Sequence, residues 1–379
     1  MRAVHLSNAR LVLPDRLEQG GLTIEDDMIA SIGGDVPPAA REIDLGGDYL
    51  MPGLVELHTD HLEKHLQPRP GVAWPLGLGA AIAHDVQVAG AGITTVFDSL
   101  AIGEYRSGQA RRQMLDHAIA AVSRGVESGA FRVDHRLHFR CEISDPAMGG
   151  IIARYHDHPL IGLLSMMDHT PGDRQIADVD AARAFLRRQG WDDATIEADL
   201  ADRRSAQARL AAPQRRLVSD WARDRQLPLA SHDDAREAHV VEAAGDGAVI
   251  AEFPTTLEAA RAARSHGLSV LVGAPNLIRG ESHSGNVAAA DLLGAGEADI
   301  LSSDYVPASL LPAVFRVVSE GWRDLPGAVA MVTATPARVA GLADRGTLST
   351  GLRADLIQVA LVADTPVVRR VWSAGRRVA

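Results

Sequence analysis

Eight short apolar segments recur along the middle of the chain, each followed by a helical stretch. This alternation restricts the fold more than any other feature of the sequence. The segments are residues 54–58, 93–98, 137–143, 160–168, 227–232, 249–253, 269–273 and 300–304. Helical patterns over 111–128, 181–188, 194–212 and 256–266 separate them. Strands alternating with helices form a parallel sheet with crossover helices. Eight such units within about 250 residues suit a (β/α)8 barrel of TIM type. A doubly wound sheet would need a glycine-rich GxGxxG turn after the first strand, and none follows it.

Both chain ends read differently. Strand-like runs at 9–13, 22–25 and 28–32 are punctuated by Gly20-Gly21, Gly33-Gly34 and Pro37-Pro38, and further runs follow at 355–361 and 367–372. Of the 379 residues 46% are hydrophobic, which excludes wholesale disorder. The single cysteine, Cys141, can form no internal disulfide, and its register turns it toward the core. No apolar run reaches the ~18 residues of a membrane span, and the opening MRAVHLSNARLVLPD lacks the apolar stretch of a secretory signal. These features predict a cytoplasmic chain without a membrane partner. A net charge of −11 with no basic run argues against nucleic acid as a partner. Arginine carries nearly all the positive charge, because Lys64 is the only lysine.

Polar residues gather where the predicted strands end. The first ends in His58-Thr59-Asp60, the third carries His138, Arg140 and Glu142, and the fourth ends in Asp168-His169. The fifth ends in Ser231-His232-Asp233-Asp234 and the eighth in Ser302-Ser303-Asp304. In a barrel these ends converge on the face that carries active sites. His58 and Asp60 are spaced i, i+2, as are His138, Arg140 and Glu142, so each set can face one way. A single histidine at a strand end is ordinary; five strand ends decorated together are not. Imidazoles and carboxylates are ligands for zinc or manganese, and two ions about 3.5–4 Å apart can activate water and stabilise attacking and leaving oxygens.

The set His58, Asp60, Glu142, His169, His232 and Asp304 resembles the ligand set of the amidohydrolase superfamily. The segments HTDHLEKHLQPRPGVAWP (58–75), HRLHFRCE (135–142), SMMDHTPGDRQ (165–175), LASHDDA (229–235), VIAEFPTT (249–256), VLVGAPNLIRGESHSGNVAA (270–289) and LSSDYVPASLL (301–311) resemble the PhnM family of bacterial phosphonate metabolism. This resemblance covers nearly the whole chain in order. It implies that the two ends, 1–50 and 345–379, build a small β-sandwich domain beside a barrel spanning 51–344. It also implies a divalent-metal cofactor, two ions, with zinc first and manganese or iron as alternatives. The implied reaction is hydrolysis of α-D-ribose 1-methylphosphonate 5-triphosphate to the 5-phosphate and pyrophosphate. Water activated at the metals would attack the α-phosphorus, with Asp304 as the proton acceptor. The implied partner is this phosphorylated ribose phosphonate, and a homodimer follows by analogy alone.

Three departures from the wider superfamily stand out. Its usual His-x-His is His-x-Asp here, as in the PhnM family, and His61 at i+3 points elsewhere on an extended strand. Many members bridge their metals with a carboxylated lysine, but Lys64 lies far from the third and fourth strand ends, which leaves Glu142 as the bridge. His169 and His232 fall on the fourth and fifth strands, where the superfamily uses the fifth and sixth.

An acidic chain must recruit a triphosphate locally, through cationic side chains, backbone N–H groups and metal. Lys64 and Arg69 lie after the first strand. Arg279, Ser282, His283 and Asn286 lie after the seventh, in the region where barrels often bind phosphate. Arg140 either contacts phosphate, orients Glu142 or pairs with a buried acid; Asp233 or Asp234 can hold a histidine tautomer. Residues 172–212 read as a polar helical insertion, either a lid or a dimer surface. Two other classes compete: deamination or cyclic-amide cleavage at the same metals, and a decayed barrel serving as a scaffold. Only 15 aromatic residues weaken base stacking, and intact strand-end ligands argue against decay.

Overall fold

The computed structural model describes residues 3–103, 108–172, 174, 179–282 and 285–379. Five strands open the chain: β1 (Val4–Val12), β2 (Leu17–Glu25), β3 (Met28–Ile32), β4 (Arg41–Asp44) and β5 (Tyr49–Pro52). Eight parallel strands follow: β6 (Leu54–Thr59), β7 (Ile93–Ile102), β8 (Asp134–Glu142), β9 (Ile161–Met167), β10 (Leu229–His232), β11 (Ile250–Glu252), β12 (Ser269–Gly273) and β13 (Ile300–Ser302). They pair in chain order from β6 to β13, so every one of the eight expected strands takes its expected place. The last strands are β14 (Leu356–Val362), β15 (Thr365–Ser373) and β16 (Arg376–Arg377). They join β1–β5 in one mixed sheet of order β16-β15-β14-β5-β1-β2-β3, with β4 on β1. That sheet has its own core, in which Leu6, Leu11, Leu22 and Leu50 meet Leu356 and Trp372. The molecule is thus a (β/α)8 barrel with a separate sheet built from both ends. No described helix is long and apolar enough to cross a membrane.

Two local expectations fail for identifiable reasons. Gly20-Gly21, read as a turn, lies inside β2. A Cβ on Gly21 would come within 2.6 Å of Nε2 of His5, so this glycine answers a close cross-strand approach. The helical pattern that stops at Ala212, before Pro213, continues as one helix over Asp193–Asp224. Its second half buries Val218, Trp221 and Ala222 in the barrel's outer core, and this packing outweighs the one hydrogen bond that proline removes. The first half is tied down too. Ile196 and Leu200 pack on Leu186 of the preceding helix, and Gln207 donates to Asp168 at the end of β9 (2.6 Å).

The barrel closes where β6 meets β13, and little backbone pairing holds that seam: one parallel bridge joins Thr59 to Asp304. A carboxylate supplies what the ladder lacks. Glu56, fully buried, accepts the N–H of His58 (2.7 Å) on its own strand, and the Ser302 hydroxyl (2.8 Å) and Ser303 N–H (2.6 Å) from across the seam. Burial pushes its pKa up to about 7, against the pull of these donors. Glu56→Ala strands the buried N–H groups of His58 and Ser303, each at a cost of about 1–3 kcal/mol, while the Ser302 hydroxyl keeps His58 O (2.6 Å). Denaturant unfolding is expected to show a stability loss of about 2–5 kcal/mol; a loss below about 0.5 kcal/mol would show that the seam is held by other contacts.

Candidate metal centre and active-site cavity

Strand alternation builds the site in layers. Near the bottom of the barrel the inner face is apolar: Phe97, Leu163, Ala230, Ile250, Leu271 and Ile300 form one cluster. Two residues further along most of these strands, where the side chain returns to the same face, the inner residues are polar: Ser99, Ser165, His232, Glu252 and Ser302. His138 of β8 sits among them. Its Nδ1 lies 3.0 Å from both Ser99 Oγ and Leu57 O, and its Nε2 lies 3.0 Å from Ser165 Oγ. Burial pushes this imidazole down to about 3, so it is a neutral, fully engaged floor residue.

Above the floor, imidazoles and carboxylates alternate in a chain. His58 Nδ1 lies 3.1 Å from one oxygen of Glu252, and His232 Nδ1 lies 3.1 Å from the other. His232 Nε2 is 3.3 Å from Asp233, which is 3.8 Å from His169 Nε2. His169 Nδ1 is bound to Glu142 at 2.8 Å. The Asp60 N–H donates to Asp304 O at 3.1 Å, so both aspartates flank the seam beside His58. Burial holds His58 and His232 well below the ordinary imidazole range, and the Arg140 charge adds to this. Burial opposes the charge on His169, but Glu142 and Asp233 outweigh it and its pKa is raised. Burial lifts Asp233 to about 7. Burial and the neighbouring Asp60 lift Asp304 to about 6.

The donor set fits a divalent metal. His58 Nδ1 and Glu252 Oε1 face each other at 3.1 Å, yet both are buried without a hydrogen-bond partner. Two ligands at about 2.1 Å from one ion lie roughly 3–3.4 Å apart, so this spacing is that of co-ligands. Asp60 Oδ1 and Asp233 Oδ2 are orphaned in the same way. Donor atoms of His58, His138 and Glu252 lie within 4.8 Å of one another, as do those of His169, His232 and Asp233. Neutral imidazoles and ionised carboxylates are the forms that bind metal.

A cavity of about 250 Å³ opens over this chain. His58, Asp60, Arg140, His232, Arg279, Ser282, Asn286 and Asp304 all line it. Arg140 projects from β8 with its Nε buried and unpartnered. Arg279 ends the helix Ala274–Arg279, which Gly280 caps in the left-handed conformation (φ 86°). Lys64 reaches the rim, donating to Tyr305 O at 2.7 Å. Glu142 and His169 stand one step behind, as a pair joined to the cavity through Asp233. Arg69 is exposed in the turn it forms with Val72 and does not line the cavity, and His283 lies outside the described residues. Asp234 is taken up by Arg174 and Ser231. Asp233, Phe253 and Asp304 all adopt left-handed φ (55°, 52° and 51°), so backbone strain gathers at the strand ends that shape this cavity.

The place between His58 and His232 belongs to Glu252, not to Glu142, whose oxygens are held by His169 and Ser144 (2.6 Å). Sequence reasoning passed over Glu252, although Ile250-Ala251-Glu252 carries the period-two signal that finds it. The barrel has eight strands, with His169 just after the fourth and His232 at the end of the fifth.

Over 376 residues the chain is 41% identical to the α-D-ribose 1-methylphosphonate 5-triphosphate diphosphatase of Escherichia coli (strain K12), covering 98% of this chain and 99% of that protein. The chain belongs to the PhnM family. No family model matches this PhnM-family chain. Among solved structures it is similar to N-isopropylammelide isopropylaminohydrolase from Burkholderia multivorans ATCC 17616 (TM-score 0.66, 19% identity, 100% of this chain and 98% of that one). It is also similar to N-acetylglucosamine-6-phosphate deacetylase from Pasteurella multocida (TM-score 0.65, 13% identity, 99% of both chains). At these identities the likeness shows the shared fold.

Glu252→Ala removes the carboxylate common to His58 and His232. Metal bound per chain after dialysis, measured by plasma mass spectrometry, is expected to fall; an unchanged ratio would exclude Glu252 from the centre.

Proposed function

We propose that this chain hydrolyses the triphosphate tail of α-D-ribose 1-methylphosphonate 5-triphosphate, releasing pyrophosphate and leaving the 5-phosphate, in the cytoplasm. The observation that carries the reading is the near full-length identity to a protein of that activity. A cavity combining a metal donor set with Arg140 and Arg279 supports it. His58, Asp60, Glu142, His169, His232 and Asp304 would hold two divalent ions, zinc in the first instance, with Glu252 between His58 and His232. Such ions supply Lewis acidity, lowering the pKa of water and neutralising phosphoryl oxygens.

The chain's own residues have distinct tasks. Asp304, raised to about 6 by burial and Asp60, stands near neutrality and accepts the proton of the attacking water. Arg140 brings a fixed charge up from the barrel wall, and Arg279, Ser282 and Asn286 face it across the cavity as donors to phosphate oxygens. Lys64 adds a cation at the rim. Arg69 and His283 extend the proposed phosphate-binding set into the loops after the first and seventh strands.

The test is a product assay on metal-reconstituted protein with a ribose 5-triphosphate, followed by phosphorus NMR. Pyrophosphate release that chelator abolishes is the expected result. Orthophosphate alone would move the attack to the terminal phosphorus, and no turnover with any metal would overturn the reading. Asp304→Asn is expected to slow turnover about 100- to 1,000-fold with the fold intact by circular dichroism. Near-normal turnover would place the proton acceptor elsewhere. Arg140→Ala is expected to raise KM by about tenfold or more, through loss of a charge-assisted contact.

A further inference from the structure

Outside the barrel wall, a second group of imidazoles plays no part in the cavity. The alternation that turns Ser99 inward turns Asp98 outward, toward the helix Gly77–Gly90. The buried Asp98 carboxylate accepts from His84 Nε2 of that helix (2.7 Å) and from His135 Nδ1 of β8 (2.8 Å). His135 turns its other nitrogen toward Asp85 (3.5 Å), which also binds Arg132. Because Asp98 holds the proton on Nε2 of His84, the lone pair of that ring is on Nδ1. This lone pair points away from the acidic pair.

It points at the helix His61–Leu66. His61 Nδ1 lies 3.1 Å from His84 Nδ1. One turn on, at i+4, His65 presents the same face. Its Nε2 is buried without a hydrogen-bond partner, while Gln87 approaches the same ring. Donor atoms of all three imidazoles lie within 4.8 Å of one another. A hydrogen bond between His61 and His84 accounts for two of the rings. It leaves the orphaned nitrogen of His65 unexplained.

We propose that His61, His65 and His84 form a second divalent-cation site, separate from the cavity and of the borderline type that zinc or cobalt fills. The arrangement has the parts such a site needs: three imidazoles with donor atoms within ligand reach of one another, and a carboxylate behind one of them that fixes its tautomer. Its role is mechanical. An ion there pins the helix His61–Leu66, which begins next to Asp60 and carries Lys64, to the helix Gly77–Gly90. The proposal stands whether or not the barrel interior performs the chemistry given above.

The experiment is a cobalt(II) titration of the chelator-stripped full chain, with bound metal counted by plasma mass spectrometry and coordination read from visible absorption. It compares wild type, His65→Ala and Asp98→Asn. Removing the orphaned ligand in His65→Ala is expected to abolish one equivalent of bound cobalt and its absorption bands, whatever the interior retains. Asp98→Asn, which keeps all three imidazoles, is expected to weaken that equivalent about 10- to 100-fold. Equal stoichiometry and equal spectra in wild type and His65→Ala would overturn the proposal. The same holds if the double variant His58→Ala/His232→Ala, folded by circular dichroism, binds no cobalt at all. Should that double variant fail to fold, the comparison of wild type with His65→Ala decides alone, since His65 is only half-buried.

Discussion

The carboxylate of Glu56 bears a burden out of proportion to its size. A parallel barrel of eight strands has one junction that joins its first strand to its last, and here that junction has a single bridge pair. Glu56 spans it with hydrogen bonds to both sides. On one side, two and four residues on, come His58 and Asp60; on the other, Ser303 leads directly to Asp304. The separation of these donors depends on how the seam is held, by Glu56 and by Met331 and Val332, whose carbonyls accept from Leu301 N–H on one side and Val55 N–H on the other. A metal centre tolerates little drift in its ligands, so a buried acid with a raised pKa is retained where an apolar residue would pack at lower cost.

The cavity reconciles an acidic chain with an anionic substrate by placing charge locally. Burial keeps His58 and His232 neutral, and it raises Asp233 and Asp304 toward neutrality. The two carboxylates therefore carry less negative charge than their number implies, while the imidazoles contribute none of either sign. Arg140, the fixed cation rising from the wall among them, keeps its Nε unpartnered and acts electrostatically on Asp233 and Asp304. Local cations at the cavity, Arg140 and Arg279, thus coexist with a net charge of −11 over the whole chain.

Much of this architecture was legible beforehand, and the reasons differ by element. The eight barrel strands announce themselves because strands buried on both faces are continuous apolar runs bounded by turns. Eight of the proposed site residues line the cavity because strand ends converge by topology, whatever their side chains. Glu252 is harder to read because β11 is only three residues long, so its period-two signal rests on the single pair Ile250 and Glu252. His61 was read on an extended strand, whereas Asp60 already begins a helical turn, and that turn carries it toward His84. The helix through Pro213 could not be foreseen, since local propensity stops it and only the barrel surface beneath it carries it on. Pairing between the two chain ends leaves no local signal either, because β5 and β14 are partners about 300 residues apart.

That last pairing has a consequence for how the chain is made. During synthesis β5 emerges about 300 residues before β14, the strand that must lie against it. At about 5–20 residues per second the wait is on the order of 15–60 s. Over that interval β5 presents an unsatisfied edge, and the seam beside Glu56 stays open until β13 arrives. Non-local closure of this kind is slow, and it exposes strand edges to foreign pairing. The sheet therefore cannot close until β14 is free, and its two parts meet only after all eight barrel strands have emerged between them.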